Sequence, residues 1–551
     1  MLAFSNDMIA SKPTFFEKIT LYLGSNPLRG ILLLAFAVRM IAVLFAKGYL
    51  MHDDHFLTIE PAASWADGSN FNHWLPGIGN DNEHPEPISF FYPGILFGFF
   101  KLFQWVGIEN PEIQMYFIRL LHAAYSLLTI YFAYKITERI SGRTNAIQVG
   151  ILLAFIAVLP NFSVRNLVEM VCMPPLLAGV YFIVSKVPLR SFRAGNLQFD
   201  GNSINPDEKK GSLRFILIAA ILMGTAVGIR YQTGLFVALV GLVLLLQRSF
   251  IYAFLFGVVS FTTFFLTQID DILLWGGQPF QHLTGYFQYN KENALNYPGS
   301  SLAYVSFIGI FILPPVSLFL LAGYFSVWKK QLIIWLPVTG FLLFHILYPN
   351  RQERFILPAL PFFVILGITG WNQLMNQSKW LQQKQRMIRS GWSFFWVLNI
   401  TALLMLCFIY TKKSRVEAMN YLYEQGDCKN FVLEFTHSDA GAMMPQFYSS
   451  NWSGYYYFHK GDIPKDYILN MEHDERTTQG KYQPRLIPNY FLFYDDEQLE
   501  SRVATFKNYF PTLEYRTTVE PGWFDRALNW LNPKNSLEKI HIFKAEGGIK
   551  Q

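Results

Sequence analysis

Long apolar runs recur from Leu28 to Tyr410, and they constrain the fold of this 551-residue chain more than any other feature. Each run is close to the ~20 residues that an α-helix needs to cross the hydrocarbon core of a bilayer. Only 15% of the residues are charged, whereas an average soluble domain has about 25%. After Thr411 the chain turns polar and stays polar. The pattern predicts a polytopic α-helical membrane protein with a C-terminal soluble domain.

Eleven of the apolar segments are predicted to span the membrane. They are residues 29–50, 114–136, 144–160, 166–185, 214–230, 233–248, 250–268, 301–327, 331–348, 355–371 and 391–411. A further apolar segment, "ISFFYPGILFGFFKLFQWVG" (88–107), contains a proline, a lysine and three glycines. Before the first span, "PTFFEKITLYLG" is predicted to form an amphipathic helix on the membrane surface.

The distribution of basic residues decides how the chain is threaded. Lys and Arg are enriched in cytoplasmic loops, and the basic segments here are 186–214, 372–390 and the Lys329–Lys330 turn. With the N-terminus inside, all three are cytoplasmic only if residues 88–107 do not span. We therefore predict that 88–107 is interfacial or re-entrant and belongs to an external loop that covers residues 51–112.

This threading gathers four polar clusters on the external face of the membrane. They are residues 51–92, the 269–300 loop, "YPNRQERF" (348–355) and the C-terminal domain. A functional site assembled from distant segments at one membrane surface is therefore expected.

The first cluster begins with "MHDDHFLTIEPAASW", which supplies two histidines and three carboxylates directly after a span. The carboxylates are Asp53, Asp54 and Glu60, and His84 follows in "NDNEHPEP". Carboxylates beside an apolar surface can have raised pKa values and accept protons at neutral pH. Asp53 and Asp54 are candidate general bases, and Glu60 and His84 are candidate substrate ligands. The alternative is a solvated loop that happens to be acidic.

A pair of arginines marks the third cluster, "NRQERFILPALP" (350–361). Arg351 and Arg354 would share one face of a helix, and guanidinium groups bind phosphate through two parallel hydrogen bonds. The pair suits a phosphate held at headgroup depth, with Glu353 orienting or neutralising one arginine. The alternative is interfacial anchoring by snorkelling.

Two more arginines lie at the external ends of predicted spans. Arg165 and Arg230 occur in "NFSVRNLVEM" and "GIRYQTG", and each is either an interfacial anchor or a site residue, Arg230 as a further phosphate ligand. Glu169 follows Arg165 by one helical turn and should point inward, since unpaired charge facing lipid is costly. A local Arg165–Glu169 ion pair is the interpretation we favour.

Several classes of site are disfavoured by the sequence. No stretch interleaves basic and aromatic residues as nucleic-acid grooves do. The three cysteines, Cys172, Cys407 and Cys428, have neither metal-ligand spacing nor a disulfide framework. No cofactor or metal site is expected, because adjacent ligand-type residues rarely converge on one ion and no known metal motif occurs. A divalent cation at Asp53 and Asp54 is the open alternative.

The acidic loop resembles that of a known enzyme family. An acidic pair at the outer end of the first span and a Glu six residues later resemble the GT-C glycosyltransferases. More narrowly, they resemble glycosyltransferase family 22, the dolichyl-phosphate-mannose-dependent mannosyltransferases of GPI-anchor and N-glycan assembly. In "MHDDHFLTIEPA", Asp53 and Asp54 match the family's Asp-Glu pair, Phe56 its aromatic residue and Glu60 its later Glu.

Further elements of the family follow in the expected order between residues 30 and 370. The matching elements are "ISFFYPG" with Ser89, Tyr92 and Pro93; "VRNLVE"; the 270–299 segment with Asp270, Tyr289, Asn290, Tyr297 and Gly299; and "NRQERFILPALP". The chain departs from the family at Met51, His52, Asn350, Gln352 and Tyr231. These departures suggest a divergent, bacterial relative.

The resemblance implies a GT-C fold of about eleven transmembrane helices plus interfacial helices, and an inverting glycosyl transfer. The donor would be a polyprenyl-phosphate sugar, with mannose the first choice, and the acceptor a hydroxyl of a glycolipid, a glycan or a protein. Asp53 would activate the hydroxyl, while Arg351 and Arg354 would stabilise the leaving phosphate. Tyr92, Tyr289, Asn290 and Glu353 would contact substrate. Location in a bacterial inner membrane with the site facing the periplasm is expected, and an ER membrane facing the lumen is the alternative.

The polar tail, residues 412–551, alternates strand-like and helical segments. This pattern predicts a small external α/β domain that either covers the site, contacts the acceptor or only packs, after a transmembrane catalytic domain of residues 1–411. Other functions stay open: a GT-C enzyme acting on protein hydroxyls or lipid A, or a transporter or flippase of lipid-linked sugars. Transporters hold ionisable groups at the bilayer midplane, whereas here they collect at one face.

Overall fold

In the computed structural model, the structure describes residues 24–71, 74–75, 88–187, 190–193, 196–199, 206–274, 278–296, 304, 309, 311–436, 443–453, 455–459, 487–532 and 537–547. His84 and nearly all of the predicted N-terminal amphipathic helix lie outside these residues. The described part of the chain is mainly helical, and its strands are concentrated after residue 430.

The helices described in the first part of the chain range from 4 to 31 residues, and the two that follow the first span, at the acidic loop, are short. They are α1 (Pro27–Phe45), α2 (Asp53–Phe56), α3 (Ile59–Ala66), α4 (Phe91–Trp105), α5 (Pro111–Ser141), α6 (Arg143–Phe155), α7 (Val158–Phe162), α8 (Val168–Val171), α9 (Met173–Lys186), α10 (Pro206–Ile229), α11 (Thr233–Leu246), α12 (Phe250–Leu266), α13 (Asp270–Leu273), α14 (Gln281–Asn293), α15 (Val316–Ser326), α16 (Leu332–Leu347), α17 (Leu360–Gln377), α18 (Lys379–Gln383) and α19 (Gln385–Cys407). A 3₁₀ helix, Glu353–Ala359, leads directly into α17.

Seven segments within the described residues are long and apolar enough to cross a bilayer. They are α1, α5, α8 with α9, the Ser212–Ile229 part of α10, α12 with α13, the 3₁₀ helix with α17, and α19. α11, α15 and α16 are apolar but shorter. These ten correspond to ten of the eleven predicted spans. The eleventh, 144–160, covers most of the 13-residue α6 and the start of α7, and neither helix is among the long or shorter candidate spans found within the described residues.

The segment 88–107 forms the amphipathic helix α4, which is not among those candidate spans. One face, with Tyr92, Leu96 and Phe100, is buried, and the helix packs against α3. Its opposite face exposes Leu102, and Trp105 is 83% exposed. This arrangement agrees with the interfacial interpretation, while the orientation of the bundle stays a prediction.

The bundle core is tightest where two helices meet through glycines. A Cβ added at Gly323 of α15 would lie 2.0 Å from the Gly367 carbonyl oxygen, and one at Gly370 of α17 would lie 1.9 Å from that of Gly323. Only glycine permits this backbone approach, which is how membrane helices gain packing energy without a hydrophobic driving force.

Within the described residues, the C-terminal part adds three α-helices, a 3₁₀ helix (Gln446–Ser449) and a five-stranded sheet. The helices are α20 (Lys413–Gln425), α21 (Leu499–Lys507) and α22 (Trp523–Leu531); the strands are β3 (Phe431–Phe435), β4 (Tyr456–His459), β5 (Tyr490–Tyr494), β6 (Glu514–Val519) and β7 (Ile540–Lys544). A separate antiparallel hairpin, β1 (Arg190–Arg193) with β2 (Asn196–Phe199), lies in the loop before α10.

The sheet has the order β4-β3-β5-β7-β6, parallel among the first three strands and antiparallel at β7 and β6. Its central strands are apolar on both faces, as strands covered on both sides must be. Phe506 of α21 packs on one face with Phe491 and Phe493. On the other face, Met419 of α20 belongs to the same buried cluster as the membrane bundle, so the sheet is docked on the bundle through a continuous apolar core.

Backbone contacts also join the two parts. Gly48, just after α1, has a φ of +74°, and a Cβ there would lie 1.9 Å from the Thr411 carbonyl oxygen. The Thr411 hydroxyl donates to the Tyr49 carbonyl (2.6 Å), and its N–H donates to that of Lys47 (3.2 Å). The start of the acidic loop and the end of the last span are therefore held together.

Candidate functional site

The acidic loop is folded by Asp54, which caps its own turn. Both carboxylate oxygens accept backbone N–H groups, from Leu50 at 2.9 Å and Met51 at 3.0 Å. The residue is buried. Burial raises the pKa of the Asp54 carboxyl, against the opposing effects of Arg165 and the two N–H groups. Asp54 therefore shapes the loop, and its two oxygens are already occupied by the backbone.

The neighbouring Asp53 points to a different partner, 301 residues away. Arg354 Nη2 donates to Asp53 Oδ2 at 2.6 Å, and Arg354 Nε donates to Gln352 Oε1 at 2.9 Å. The Asp53 side chain is 44% exposed whereas that of Arg354 is 8% exposed. The contact brings the first and third sequence clusters together, and it leaves Asp53 accessible from solvent.

A second ion pair lies beside the first. Arg230, at the end of α10, pairs with Glu169 of α8, and Arg354 Nε lies 4.0 Å from the same Glu169 oxygen. All three side chains are buried. The Phe355 ring lies below both guanidinium groups, at 5.3 Å from Arg230 and 5.4 Å from Arg354. Asp53, Arg354, Glu169 and Arg230 form one charge cluster, which we call the Asp53–Arg230 cluster.

Polar atoms of this cluster have unused hydrogen-bonding capacity. Within the described residues, Arg230 Nε and Nη2 and Glu169 Oε2 are buried and have no hydrogen-bond partner. Most buried polar groups in native proteins are satisfied, so a cluster with three unsatisfied atoms is a natural place for a polar ligand.

The favoured Arg165–Glu169 pair is wrong. Arg165 instead donates to the backbone carbonyls of Lys47 and Gly48, while Glu169 faces Arg230. The helix is interrupted between α7 and α8, and Leu167 has an extended backbone with ψ of 116°. The one-turn helical spacing that would have paired the two residues therefore does not exist.

The other predicted arginine lies at the end of α16. Arg351 Nε donates to the Ile346 carbonyl at 2.9 Å. The carboxylates paired with Arg354 are Asp53 at 2.6 Å and Glu169 at 4.0 Å, so Glu353 is not its partner among the ion pairs of the described residues. The Arg351–Arg354 pair therefore does not form on one regular α-helix, because Arg351 precedes the 3₁₀ helix in which Arg354 lies.

Residues of α14 approach the cluster through a tyrosine that the sequence did not single out. The Tyr286 phenol is buried, which raises its pKa to about 12, and the charges of Arg230, Glu169 and Asp53 act on it. Tyr289 is 50% exposed. The Asn290 side chain donates to the Tyr286 carbonyl, and the Asn290 carbonyl accepts from Tyr348. Tyr289 and Asn290, which the sequence singled out, therefore lie on the same helix as Tyr286, and the charges of the cluster act on Tyr286.

The polar atoms of Tyr92 and Glu60 are hydrogen-bonded to other residues of this protein. The Tyr92 hydroxyl lies 2.5 Å from His122 Nε2 and 3.3 Å from Asn166 Oδ1. Glu60 is 0% exposed; its carboxylate binds His55 at 2.8 Å and accepts the Phe447 N–H at 3.1 Å. Glu60 thus ties the acidic loop to the C-terminal domain, a contact between residues 387 positions apart.

A metal at the acidic pair has no obvious ligand set. The described residues form no group of three or more His, Cys, Asp or Glu side chains suited to an ion. Asp54 is directed to backbone N–H groups and Asp53 to Arg354, so the two carboxylates do not converge.

Two cavities adjoin where the C-terminal domain meets α3 and α4. Their volumes are about 520 and 710 Å³, and Tyr423, Ser450 and Trp452 line both. In the smaller cavity Asp67 is held by the Trp452 indole N–H at 2.6 Å and by Gln104 at 2.7 Å. The smaller cavity has no Lys or Arg among its lining residues. We call the two together the junction cleft.

The described helices and the small C-terminal sheet domain have the GT-C fold. Two solved structures with this fold cover most of the chain. ArnT from Cupriavidus metallidurans bound to undecaprenyl phosphate has a TM-score of 0.53 at 12% identity, over 96% of this chain and 98% of that one. The Archaeoglobus fulgidus oligosaccharyltransferase in its apo form has a TM-score of 0.52 at 11% identity, over 88% and 70%.

The family follows from the sequence. Residues 30–441 match the model of the Alg9-like mannosyltransferase family, and the chain belongs to that family. It is a membrane glycosyltransferase, and the expected resemblance to glycosyltransferase family 22 is confirmed. Comparison with curated protein sequences gives no significant match.

Proposed function

We propose that this protein transfers a sugar from a polyprenyl-phosphate donor to an acceptor hydroxyl, with inversion at the anomeric carbon, on the external face of the membrane. The observation that carries the proposal is the Arg354–Asp53 contact. It places a buried guanidinium, suited to a phosphate, next to an exposed carboxylate, suited to accept a proton. Structural relatives support the donor class: ArnT is bound to undecaprenyl phosphate, and AglB from Archaeoglobus fulgidus (TM-score 0.51, 10% identity, 90% of this chain and 74% of that one) to a dolichol-phosphate and an inhibitory peptide.

The charges of the cluster set the order of events. Asp53 and Glu169 balance Arg354 and Arg230 when no substrate is bound. An incoming phosphate competes with Asp53 for the Arg354 guanidinium and can use the unsatisfied N–H groups of Arg230. Donor binding therefore releases Asp53, so the base becomes available only when a sugar is in place.

The chemical step then needs one base and one electrostatic clamp. The acceptor oxygen forms a bond to the anomeric carbon, its proton passes to Asp53, and the bond from that carbon to the phosphate oxygen breaks with its electron pair. Negative charge grows on the departing polyprenyl phosphate, where Arg354, Arg230 and Arg351 stabilise it. Attack from the side opposite the phosphate inverts the configuration, as in inverting glycoside chemistry.

The acceptor is proposed to enter through the junction cleft. Tyr423 and Trp452 offer flat aromatic surfaces for the C–H faces of a sugar, and Asp67 and Gln104 offer hydrogen-bonding groups for hydroxyls. The absence of basic residues from the smaller cavity's lining favours a neutral glycan or glycolipid over a phosphorylated one. Mannose as the donor sugar is supported by the family alone.

A transporter of lipid-linked sugars is less well supported. In such proteins the ionisable groups lie near the bilayer midplane on broken helices. Here Asp53 follows the end of α1 and Arg354 precedes α17, so the cluster lies at one end of these helices.

A bacterial inner membrane with the site facing the periplasm is the proposed location.

The test is to offer the purified protein a panel of polyprenyl-phosphate sugars and measure released polyprenyl phosphate. Release that depends on one sugar and is abolished by Asp53→Asn supports the proposal. Movement of intact donor between leaflets without any bond cleavage would instead establish a flippase.

A further inference from the structure

Among the described residues, the last helix exposes large apolar side chains on one face. None of the residues of α22 (Trp523–Leu531) is buried. Trp530 is 81% exposed and Leu531 is 71% exposed. Large apolar side chains this exposed within a short helix require a partner, because contiguous apolar surface on a soluble domain is uncommon.

The sequence of α22 separates polar from apolar residues completely. At about 100° per residue, its apolar side chains occupy an arc of roughly 160°. They are Trp523, Phe524, Ala527, Leu528, Trp530 and Leu531. The polar side chains Asp525, Arg526 and Asn529 occupy the opposite arc. This is the pattern of a helix that lies in the plane of a membrane interface.

The position of α22 fits such a helix, because it begins beside the point where the last span ends. The Trp523 indole N–H lies 3.4 Å from the carbonyl oxygen of Phe408, the residue after α19. A Cβ at Gly522 would lie 3.1 Å from the Tyr410 carbonyl oxygen. The helix therefore starts at the level of the membrane–water interface, where Trp is enriched in membrane proteins.

The apolar face also continues the lipid-facing surface of the bundle. Leu404, Met405 and Phe408 at the end of α19 are exposed, and the Phe408 ring packs against Phe45 at the end of α1, at 4.8 Å. Two of the basic residues beside this point, Lys412 and Arg415, have their charge neutralised by pairing with Glu538.

We infer that α22 is a membrane anchor that inserts its Trp–Leu face into the lipid interface next to the last span. The occupant of the apolar face is thus the bilayer itself. The anchor adds a lipid contact to the attachments that the C-terminal domain makes to the bundle through the apolar core and Glu60, and it restrains rotation of the domain over the bundle. This inference is independent of the proposed reaction.

The test uses the full chain in nanodiscs that hold one copy each, so that a second copy cannot cover the face. With Cys428 replaced by Ser, a spin label is placed by Leu531→Cys on the apolar face or by Arg526→Cys on the polar face. We expect the label at 531 to be several-fold more accessible to dissolved oxygen, and less accessible to a water-soluble nickel chelate, than the label at 526. Equal nickel accessibility at the two positions would overturn the inference.

A second measurement removes the anchor itself. Trp530→Ser with Leu531→Ser should make a label at Ala527→Cys accessible to nickel, whereas Trp530→Phe with Leu531→Ile should leave it shielded. Both side chains are exposed, so the thermal unfolding temperature should be unchanged. Shielding at 527 that persists in the serine variant would show that protein, not lipid, covers the face.

Discussion

Arg354 is the residue on which the largest number of site contacts depend. It donates to Asp53 and Gln352, lies 4.0 Å from Glu169, and stacks over Phe355. A planar group with five N–H donors can keep its other partners when a phosphate takes the place of Asp53, which an ammonium group cannot.

Arg354→Ala is therefore expected to weaken donor binding by about 2–5 kcal/mol, the usual effect of removing one partner of a desolvated charge pair. Arg354→Lys should recover only part of the affinity, since it keeps the charge and loses the planar geometry. Titration with a polyprenyl-phosphate sugar measures the effect, with Arg389→Ala at the distant 385–393 surface as control. Unchanged donor affinity in the alanine variant would remove Arg354 from the phosphate site.

The two adjacent aspartates should behave differently when each is changed to Asn. Asp53→Asn removes the proton acceptor, so turnover should fall about 10²–10⁴-fold. Donor binding should be unchanged or tighter, because Asp53 no longer competes for Arg354. Asp54→Asn leaves one of two buried N–H groups without its acceptor and should lower the free energy of unfolding by about 1–3 kcal/mol. If instead Asp54→Asn lowered turnover without lowering stability, and Asp53→Asn did not, Asp54 would be the general base and not Asp53.

A chelator should leave transfer unchanged. The carboxylates of Asp53 and Asp54 have separate partners, so no paired oxygens are held ready for a divalent cation. Activity is measured after dialysis against EDTA and again after adding Mg²⁺ or Mn²⁺. Loss of activity that only the metal restores would place a cation in the site.

At the scale of elements, the sequence predicted where the polar residues lie but not how they pair. The apolar runs correspond to ten helical segments within the described residues, and Asp53 and Arg354, from two separate sequence motifs, lie in contact. The Asp53–Arg354 and Glu169–Arg230 pairs join different helices, and no local periodicity encodes such contacts. The Arg165–Glu169 prediction failed because it assumed a continuous helix across the break before α8. Phe447 and Tyr286 were not singled out, because nothing local distinguishes an apolar or aromatic residue that contacts a distant segment. His55 was noted only as one of the titratable groups of the acidic loop.

The threading of the helices can be tested with two exposed positions. A cysteine at Glu292 on α14 should react with a membrane-impermeant maleimide added outside, and one at Gln382 on α18 only after the membrane is opened. Both side chains are exposed, so a lack of reaction is not due to burial. Labelling of Gln382→Cys from outside would show that the bundle has the opposite orientation and that the charge cluster faces the cytoplasm.

At the scale of the whole molecule, the C-terminal domain is part of the site's support. Glu60 accepts the Phe447 N–H and binds His55, whose ring stacks between Tyr49 and Tyr448 at 4.9 and 5.7 Å. The acidic loop therefore has the C-terminal domain as one of its walls.

Glu60→Ala should weaken the contact between the acidic loop and the C-terminal domain. It leaves the buried Phe447 N–H and His55 without partners, at a cost of about 1–3 kcal/mol each. Hydrogen exchange at residues 446–449 should become faster, while exchange in β5 should not change. The matched control is Glu109→Ala. Glu109 is an exposed carboxylate that, like Phe447, lines the smaller cavity of the junction cleft. Unaltered exchange at 446–449 in Glu60→Ala would show that the domain docks without this carboxylate.

The contact between Gly48 and Thr411 joins two segments of the chain that the ribosome synthesises at different times. Tyr49 and Thr411 are separated by 362 residues, which take roughly 20–70 s to synthesise. During that interval the acidic loop has left the first span without Arg354, the last span or the C-terminal wall. A chain that ends before residue 354 therefore carries Asp53 without its Arg354 partner and α1 without the last span packed against it.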